Sequence, residues 1–102
     1  PSAEGAAKAL AASKTDTSRG KTDLVVDLDR ATTAPGAYPL ALVSYLIGCQ
    51  STESEQAKLA KEFFTYVISS AGQETAAKSA GSAPLPADLR EQAASIVSGM
   101  SS

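Results

Sequence analysis

Residues 38–49 read YPLALVSYLIGC, the most apolar stretch of the chain. Nearly continuous apolar character indicates burial on both faces, and periodicity alone does not separate a central strand from a buried helix. The flanking proline and glycine and the interior β-branched and aromatic residues favour a strand over residues 38–48. A strand buried on both faces requires a sheet that is covered by helices, so we predict an α/β fold.

Three helices are predicted after this strand, over about residues 52–69, 71–80 and 86–98. Thr52 and Glu55 have the spacing of a capping box at the start of the first. Its apolar stripe recurs at helical spacing and is formed by Leu59, Ala60, Phe63, Phe64, Val67 and Ile68. We expect the two phenylalanines to lie in the core.

Ser70 and Gln73 have the same capping-box spacing at the start of the second helix, and Gly81 suits its C-terminal cap. Pro86 suits the first turn of the last helix. The apolar face of that helix comprises Leu89, Ala93, Ile96, Val97 and Met100. The tail from Gly99 is expected to fray.

Upstream, Ser2 is a suitable N-cap for an alanine-rich helix that extends to Ala12. Residues 13–21 are polar and predict a loop. Residues 24–28 read LVVDL and predict a short strand, and turn-forming residues at 31–36 end it.

The length, composition and charge of the chain exclude several classes of function. The chain has 102 residues, about one small domain, and 43% of them are apolar, many of these alanine. The net charge is −2, and the basic residues are scattered, which argues against nucleic-acid binding. The apolar run is too short for the ~18 residues that suggest a membrane span.

No catalytic, ligand-binding or metal-binding residue is predicted, and we do not expect an enzyme. The absence of histidine excludes the usual catalytic triads and histidine-containing metal sites. The carboxylates of Asp23, Asp27 and Asp29 alternate as in a calcium loop, but the glycine and glutamate of that loop are absent. The lone Cys49 is expected to be a small buried apolar residue.

An oxyanion site would need an arginine beside a helix N-terminus. The candidates are Arg19, Arg30 and Arg90, and each is expected on a solvated face because its neighbours are polar. From the residues alone, we therefore expect a helix-covered sheet without a site of its own.

Three segments resemble, in order and at fitting spacing, the phosphate-binding proteins of bacterial ABC importers in their actinobacterial form. Residues 37–47, AYPLALVSYLI, resemble the last sheet strand of that family. Residues 63–73, FFTYVISSAGQ, resemble a helix that ends in a serine and glycine-glutamine break. Residues 80–90, AGSAPLPADLR, resemble the link into the last helix, and the alanine-rich helix at 1–12 is also similar.

The resemblance implies a fragment of a two-lobed periplasmic binding protein of type II, secreted and lipid-anchored outside the cytoplasm. Residues 1–36 would end the second lobe and cross the hinge, and residues 37–102 would complete the first lobe. The family's phosphate contacts come from earlier segments, so none is assigned here. The implied partners are inorganic phosphate and the membrane subunits of the importer, without a cofactor or nucleic acid.

Because the chain starts at Pro1 and shows no signal peptide, we expect a piece of a longer polypeptide. The strand at 38–48 would then lack its neighbours, so the isolated chain is expected to self-associate or to need its missing N-terminal part. A binding protein for another oxyanion and a free-standing structural or interaction module remain as alternative functions.

Overall fold

The computed structural model describes residues 1–51 and 53–100, and all structural statements refer to these. They form four helices and one two-stranded antiparallel sheet, a helix-rich mixed α/β arrangement. In chain order the elements are α1 (Ala3–Ala11), β1 (Lys14–Thr15), β2 (Val26–Asp27), α2 (Glu55–Ile68), α3 (Ser70–Ala80) and α4 (Ala87–Ser98).

The N-terminal helix begins as predicted. The hydroxyl of Ser2 accepts a hydrogen bond from the backbone N–H of Gly5 at 2.9 Å, which satisfies one of the free donors of the first turn. The carbonyl oxygen of Gly5 accepts from the N–H of Tyr38 at 2.9 Å. The start of the apolar stretch is therefore fastened to α1.

The sheet has two strands. One is shorter than predicted, and the other was not predicted. Lys14 pairs with Asp27 and Thr15 with Val26, so only two residues of the predicted strand at 24–28 are paired. Its partner β1 lies in the stretch that we predicted as a loop. A strand of two polar residues has no detectable period, which is why the sequence pattern did not indicate it.

The start of α2 differs from the prediction. Ser54 is its N-cap, and the Ser54 hydroxyl accepts from the N–H of Ala57 at 3.1 Å. Thr52 lies outside the described residues, and Glu55 is the first residue of the helix rather than the third of a capping box. Serine at position 54 offers the same hydroxyl acceptor closer to the apolar stripe.

At the start of α3, Ser69 rather than Ser70 is the N-cap. Its hydroxyl accepts from the N–H of Gly72 at 3.1 Å. The capping box with Gln73 is wrong, because this side chain instead donates to the carbonyl of Val67 at 2.8 Å and accepts from the N–H of Leu85 at 2.8 Å. The Gln73 amide thus joins the end of α2 to the proline-rich link.

The predicted end of α3 is confirmed. Gly81 has a φ of 67°, a left-handed conformation that costs glycine no steric clash, and its N–H bonds to the carbonyl of Ala77 at 3.1 Å. Pro86 occupies the N-cap position of α4, one residue before the first turn, and Asp88 lies in that turn.

The core is small. Its buried apolar side chains are Ala9, Leu89, Val97 and Met100. Met100 is only 7% exposed and its N–H bonds to the carbonyl of Val97 at 3.0 Å, so the tail does not fray at this residue. No residue of α2 is buried, and Phe63 is 57% exposed. The prediction that both phenylalanines lie in the core is therefore wrong, since Phe63 is exposed and Phe64 is only half-buried.

The predicted strand at 38–48 is also wrong. The residues from 37 to 49 belong to neither a strand nor a helix, and Leu42 and Ile47 are 93% and 92% exposed. A strand is defined by pairing, and the described part of the chain offers this segment no neighbouring strand. Its apolar side chains therefore meet solvent instead of a sheet and its covering helices.

Candidate interaction surface

Large apolar side chains are exposed in two places. Five of them lie in the segment Leu40–Ile47, hereafter the apolar segment, and three on α2. The five are Leu40, Leu42, Tyr45, Leu46 and Ile47, and the three are Leu59, Phe63 and Tyr66. Eight exposed large apolar residues against a core of four buried ones is unusual for a monomeric soluble protein and is typical of an interaction surface.

The first half of the apolar segment has the alternation of a strand. Leu40 and Leu42 are exposed, whereas Ala41 and Val43 between and after them are half-buried. Side chains alternate between the two faces of an extended chain. The exposure pattern therefore indicates a strand-like segment with one face against the protein and one face toward solvent.

Arg30 binds the backbone of this segment. One guanidinium nitrogen, Nη1, donates to the carbonyl of Pro39 at 2.9 Å and to the carbonyl of Ala41 at 3.0 Å. The two carbonyl oxygens therefore lie on the same side of the backbone and close enough together to share one donor. Arg30 thus fixes the first part of the apolar segment to the loop that follows β2.

Tyr45 fixes the segment to β2. Its hydroxyl donates to the carbonyl of Val26 at 3.3 Å and lies 3.2 Å from the N–H of Val26, which donates to it. An open groove of about 260 Å³ runs beside this contact. Its lining residues are Val26, Asp27, Leu28, Arg30, Leu42, Val43 and Tyr45.

The rest of the segment's backbone has no partner among residues 1–51 and 53–100. From Leu42 to Gly48, neither the N–H nor the carbonyl groups make a hydrogen bond, and the same holds for Leu40. These groups are exposed to water, so the cost is modest. They nevertheless form a row of free donors and acceptors, which is the property of a strand edge.

The far end of the segment is held by the helices. A Cβ at Gly48 would lie 2.9 Å from the ring of Phe64, so the backbone passes directly against α2. The Gln50 side-chain amide donates to the carbonyl of Ile96 in α4 at 3.3 Å. The apolar segment is thus held at its start by Arg30, at Tyr45 by β2 and just beyond its end by the helices, while the backbone groups from Leu42 to Gly48 stay unpaired among the described residues.

The three arginines contact three different parts of the molecule. Arg19 forms an exposed ion pair with Asp23 at 3.1 Å, and Nη1 of Arg90 donates to the hydroxyl of Ser70 at 2.7 Å. Arg30 is engaged with backbone carbonyls. The Arg90 contact does bring an arginine to the start of α3, but the Ser70 hydroxyl accepts its hydrogen bond.

Three aspartates, Asp16, Asp23 and Asp29, bind groups that are near them in sequence. Asp23 pairs with Arg19, and a carboxylate oxygen of Asp29 accepts from the N–H of Ala31 at 3.0 Å. Hydrogen bonds from the Ser18 hydroxyl and backbone N–H lower the pKa of Asp16 below its ordinary value. No group of three potential metal ligands is brought together within the described residues.

Cys49 is exposed, so the prediction of a buried cysteine is wrong. It lies two residues beyond the apolar segment, in a stretch that none of the described elements covers. The sequence pattern also did not indicate the role of Arg30. Its hydrogen bonds reach carbonyls nine and eleven residues away, and no local motif predicts such contacts.

A second concavity lies between α1, the sheet and α4. It measures about 80 Å³ and is lined by residues that include Leu10, Thr15, Val26, Asp88 and Leu89. This volume suits a few water molecules rather than a drug-sized ligand, for which ~300 Å³ is a usual lower bound. None of the described helices has the length and apolar character needed to traverse a bilayer.

Comparison of the chain with protein families, with curated proteins and with solved structures finds no match.

Proposed function

We propose that this chain is part of an extracytoplasmic binding protein that captures inorganic phosphate and delivers it to an ABC importer. The observation that carries the proposal is the ordered resemblance of residues 37–47, 63–73 and 80–90 to that family. In this role the chain completes one lobe of the protein, and the phosphate contacts come from other segments of the polypeptide.

The exposed apolar segment supports this assignment. Residues 40–47 have the composition of a strand buried on both faces, yet Leu42 and Ile47 are almost fully exposed. A larger polypeptide that supplies the flanking strands would cover these side chains and pair the free backbone groups between Leu42 and Gly48. Burial of an exposed leucine contributes roughly 1.5–3 kcal/mol, so the segment gains considerably from such neighbours.

The chemistry of the arginines supports a site located elsewhere. Recognition of a phosphate oxyanion needs converging donors in a desolvated pocket. Arg19, Arg30 and Arg90 each donate to a different acceptor within the chain. Neither of the two concavities gathers more than one of them.

Isothermal titration calorimetry with inorganic phosphate tests the proposal on two samples. The 102-residue chain alone is expected to give no binding heat, and the longer polypeptide that contains it is expected to bind phosphate stoichiometrically. Sulfate serves as the control anion for the longer polypeptide. Binding of sulfate without phosphate would replace the proposal with a transporter of another oxyanion, and binding of neither anion would contradict it. Tight phosphate binding by the 102-residue chain would contradict the location of the site.

A further inference from the structure

The backbone of the apolar segment is accessible to an enzyme that binds extended chains. From Leu42 to Gly48, neither the N–H nor the carbonyl groups have a hydrogen-bond partner among residues 1–51 and 53–100. An endoprotease holds its substrate as an extended peptide through hydrogen bonds to such backbone groups. Because these groups are already free, the enzyme needs little local unfolding to reach them.

Leu42 has the side chain that best suits the apolar pocket of such an enzyme. It is 93% exposed, against 46% for Tyr45 and 44% for Leu46. An endoprotease with an apolar slot selects the residue before the scissile bond by the burial of that side chain. No charged residue that would oppose an apolar cleft occurs between Arg30 and Glu53.

The neighbouring bonds of the segment are less suited. Both carbonyls that flank Leu40 in the sequence are bonded to Arg30. The hydroxyl of Tyr45 is bonded to the N–H and the carbonyl of Val26, so this side chain must leave β2 before it can enter a pocket. Ile47 is exposed, but its β-branched side chain is stiff and enters a narrow slot less readily than leucine.

Elsewhere, the described residues protect their large apolar side chains or the bonds that follow them. Phe63 and Tyr66 are exposed, but their backbone groups lie inside α2. This helix must open before either bond can lie extended in an active site. Outside the helices, Leu24, Leu28 and Tyr38 are half-buried.

We propose that the Leu42–Val43 peptide bond is a proteolytic processing site for endoproteases with an apolar primary pocket. One water molecule is consumed as the C–N bond breaks, so that Leu42 acquires a terminal carboxylate and Val43 a terminal ammonium group. The cut separates the part that contains α1, β1 and β2 from the part that contains α2, α3 and α4. The inference concerns the 102-residue chain itself and does not depend on the phosphate assignment.

Limited digestion with chymotrypsin, followed by mass spectrometry of the first products, tests the proposal. The expected first products are residues 1–42 and 43–102. Cleavage at this bond is expected to be at least about tenfold faster than cleavage after Phe63 or Tyr66, which requires opening of α2. A first cut at any other bond would overturn the proposal.

The same digestion of the chain unfolded in urea, at a concentration that chymotrypsin tolerates, separates structure from sequence preference. Without α2, the bonds after Phe63 and Tyr66 are expected to be cut at least as fast as the bond after Leu42, since aromatic residues fill the apolar slot well. An unchanged order of cleavage would mean that the local sequence, not the free backbone, selects the site, and the proposal would fail.

A matched pair of leucine variants tests the assigned residue. Leu42→Ser is expected to slow the first cut at least about tenfold, because the apolar pocket loses its side chain. Leu59→Ser removes an exposed leucine from α2 and is expected to leave the rate unchanged. Far-UV circular dichroism checks that both variants keep their helices. Equal slowing by the two variants, or none by Leu42→Ser, would contradict the assignment.

Discussion

At position 72, where α3 meets α2, the structure leaves no room for a side chain larger than that of glycine. A Cβ at this position would lie 2.0 Å from the carbonyl oxygen of Tyr66, because α3 starts directly against the last turn of α2. Gly72→Ala therefore forces the two helices apart and is expected to cost about 3 kcal/mol of unfolding free energy. Chemical denaturation monitored by circular dichroism measures this loss.

Gly99→Ala is the matched control for that substitution. A Cβ at Gly99 would lie 3.4 Å from the carbonyl of Ile96, an ordinary contact, and the backbone φ of −81° suits any residue. Its unfolding free energy is expected to stay within about 0.5 kcal/mol of the original chain. Equal losses from both alanine variants would contradict the close packing at Gly72.

Asp16 provides a pH-dependent test of a local turn. The Ser18 hydroxyl and N–H donate to its carboxylate, so its folded pKa lies below the unfolded value. The resulting stabilisation of the turn is fully present above the unfolded pKa and is lost as the pH falls through the folded pKa. In an NMR titration, Ser18→Ala is expected to move the Asp16 midpoint upward, whereas Thr17→Ala leaves it in place. An unchanged midpoint in Ser18→Ala would contradict the assigned cause.

At the scale of the helix, Ser54 determines where α2 begins. Its hydroxyl accepts from the N–H of Ala57, and α2 has no buried residue that would otherwise hold its first turn. Ser54→Ala is expected to lower the unfolding free energy by about 1 kcal/mol, and Ser54→Asp is expected to retain it. Thermal unfolding of the two variants compares them directly, and equal stability of Ser54→Ala and the original chain would refute the cap.

Gln73 joins two elements through one side chain. Gln73→Met keeps the length of the side chain but leaves the Val67 carbonyl and the Leu85 N–H without their partner. Because the site is only half-buried, the expected loss is about 1 kcal/mol of unfolding free energy. Gln56→Met, on the exposed first turn of α2, is the control and is expected to have little effect. A similar loss in both variants would argue against the bridge.

The helices could be predicted from the sequence, whereas their exact caps could not. The apolar stripe of α2 and the alanine-rich pattern of α1 indicate helices through spacing alone. Ser69 and Ser70 carry the same hydroxyl group, so the sequence does not distinguish them; in the structure the Ser69 hydroxyl caps α3 and the Ser70 hydroxyl accepts from Arg90. The two-residue strand β1 is fixed by its pairing with β2, a non-local contact that no local pattern records.

At the scale of the whole molecule, the apolar pattern of residues 38–48 suits a strand inside a covered sheet. The described part of the chain supplies neither the neighbouring strands nor the covering helices. A strand prediction depends on neighbours that local sequence cannot reveal. The small core of Ala9, Leu89, Val97 and Met100 agrees with a chain that buries too little apolar area by itself. That the chain carries no site of its own stays a prediction from composition, whereas the use of Arg30 as a donor to backbone carbonyls needed the three-dimensional structure.

Amide hydrogen exchange across residues 40–47 tests the central claim, that this apolar segment lacks backbone partners within the chain itself. In dilute solution the amides of Leu40, Leu42 and Ser44 are expected to exchange at nearly the rate of an unfolded chain, since none of them is hydrogen-bonded. Strong protection of these amides in the dilute monomer would contradict the account.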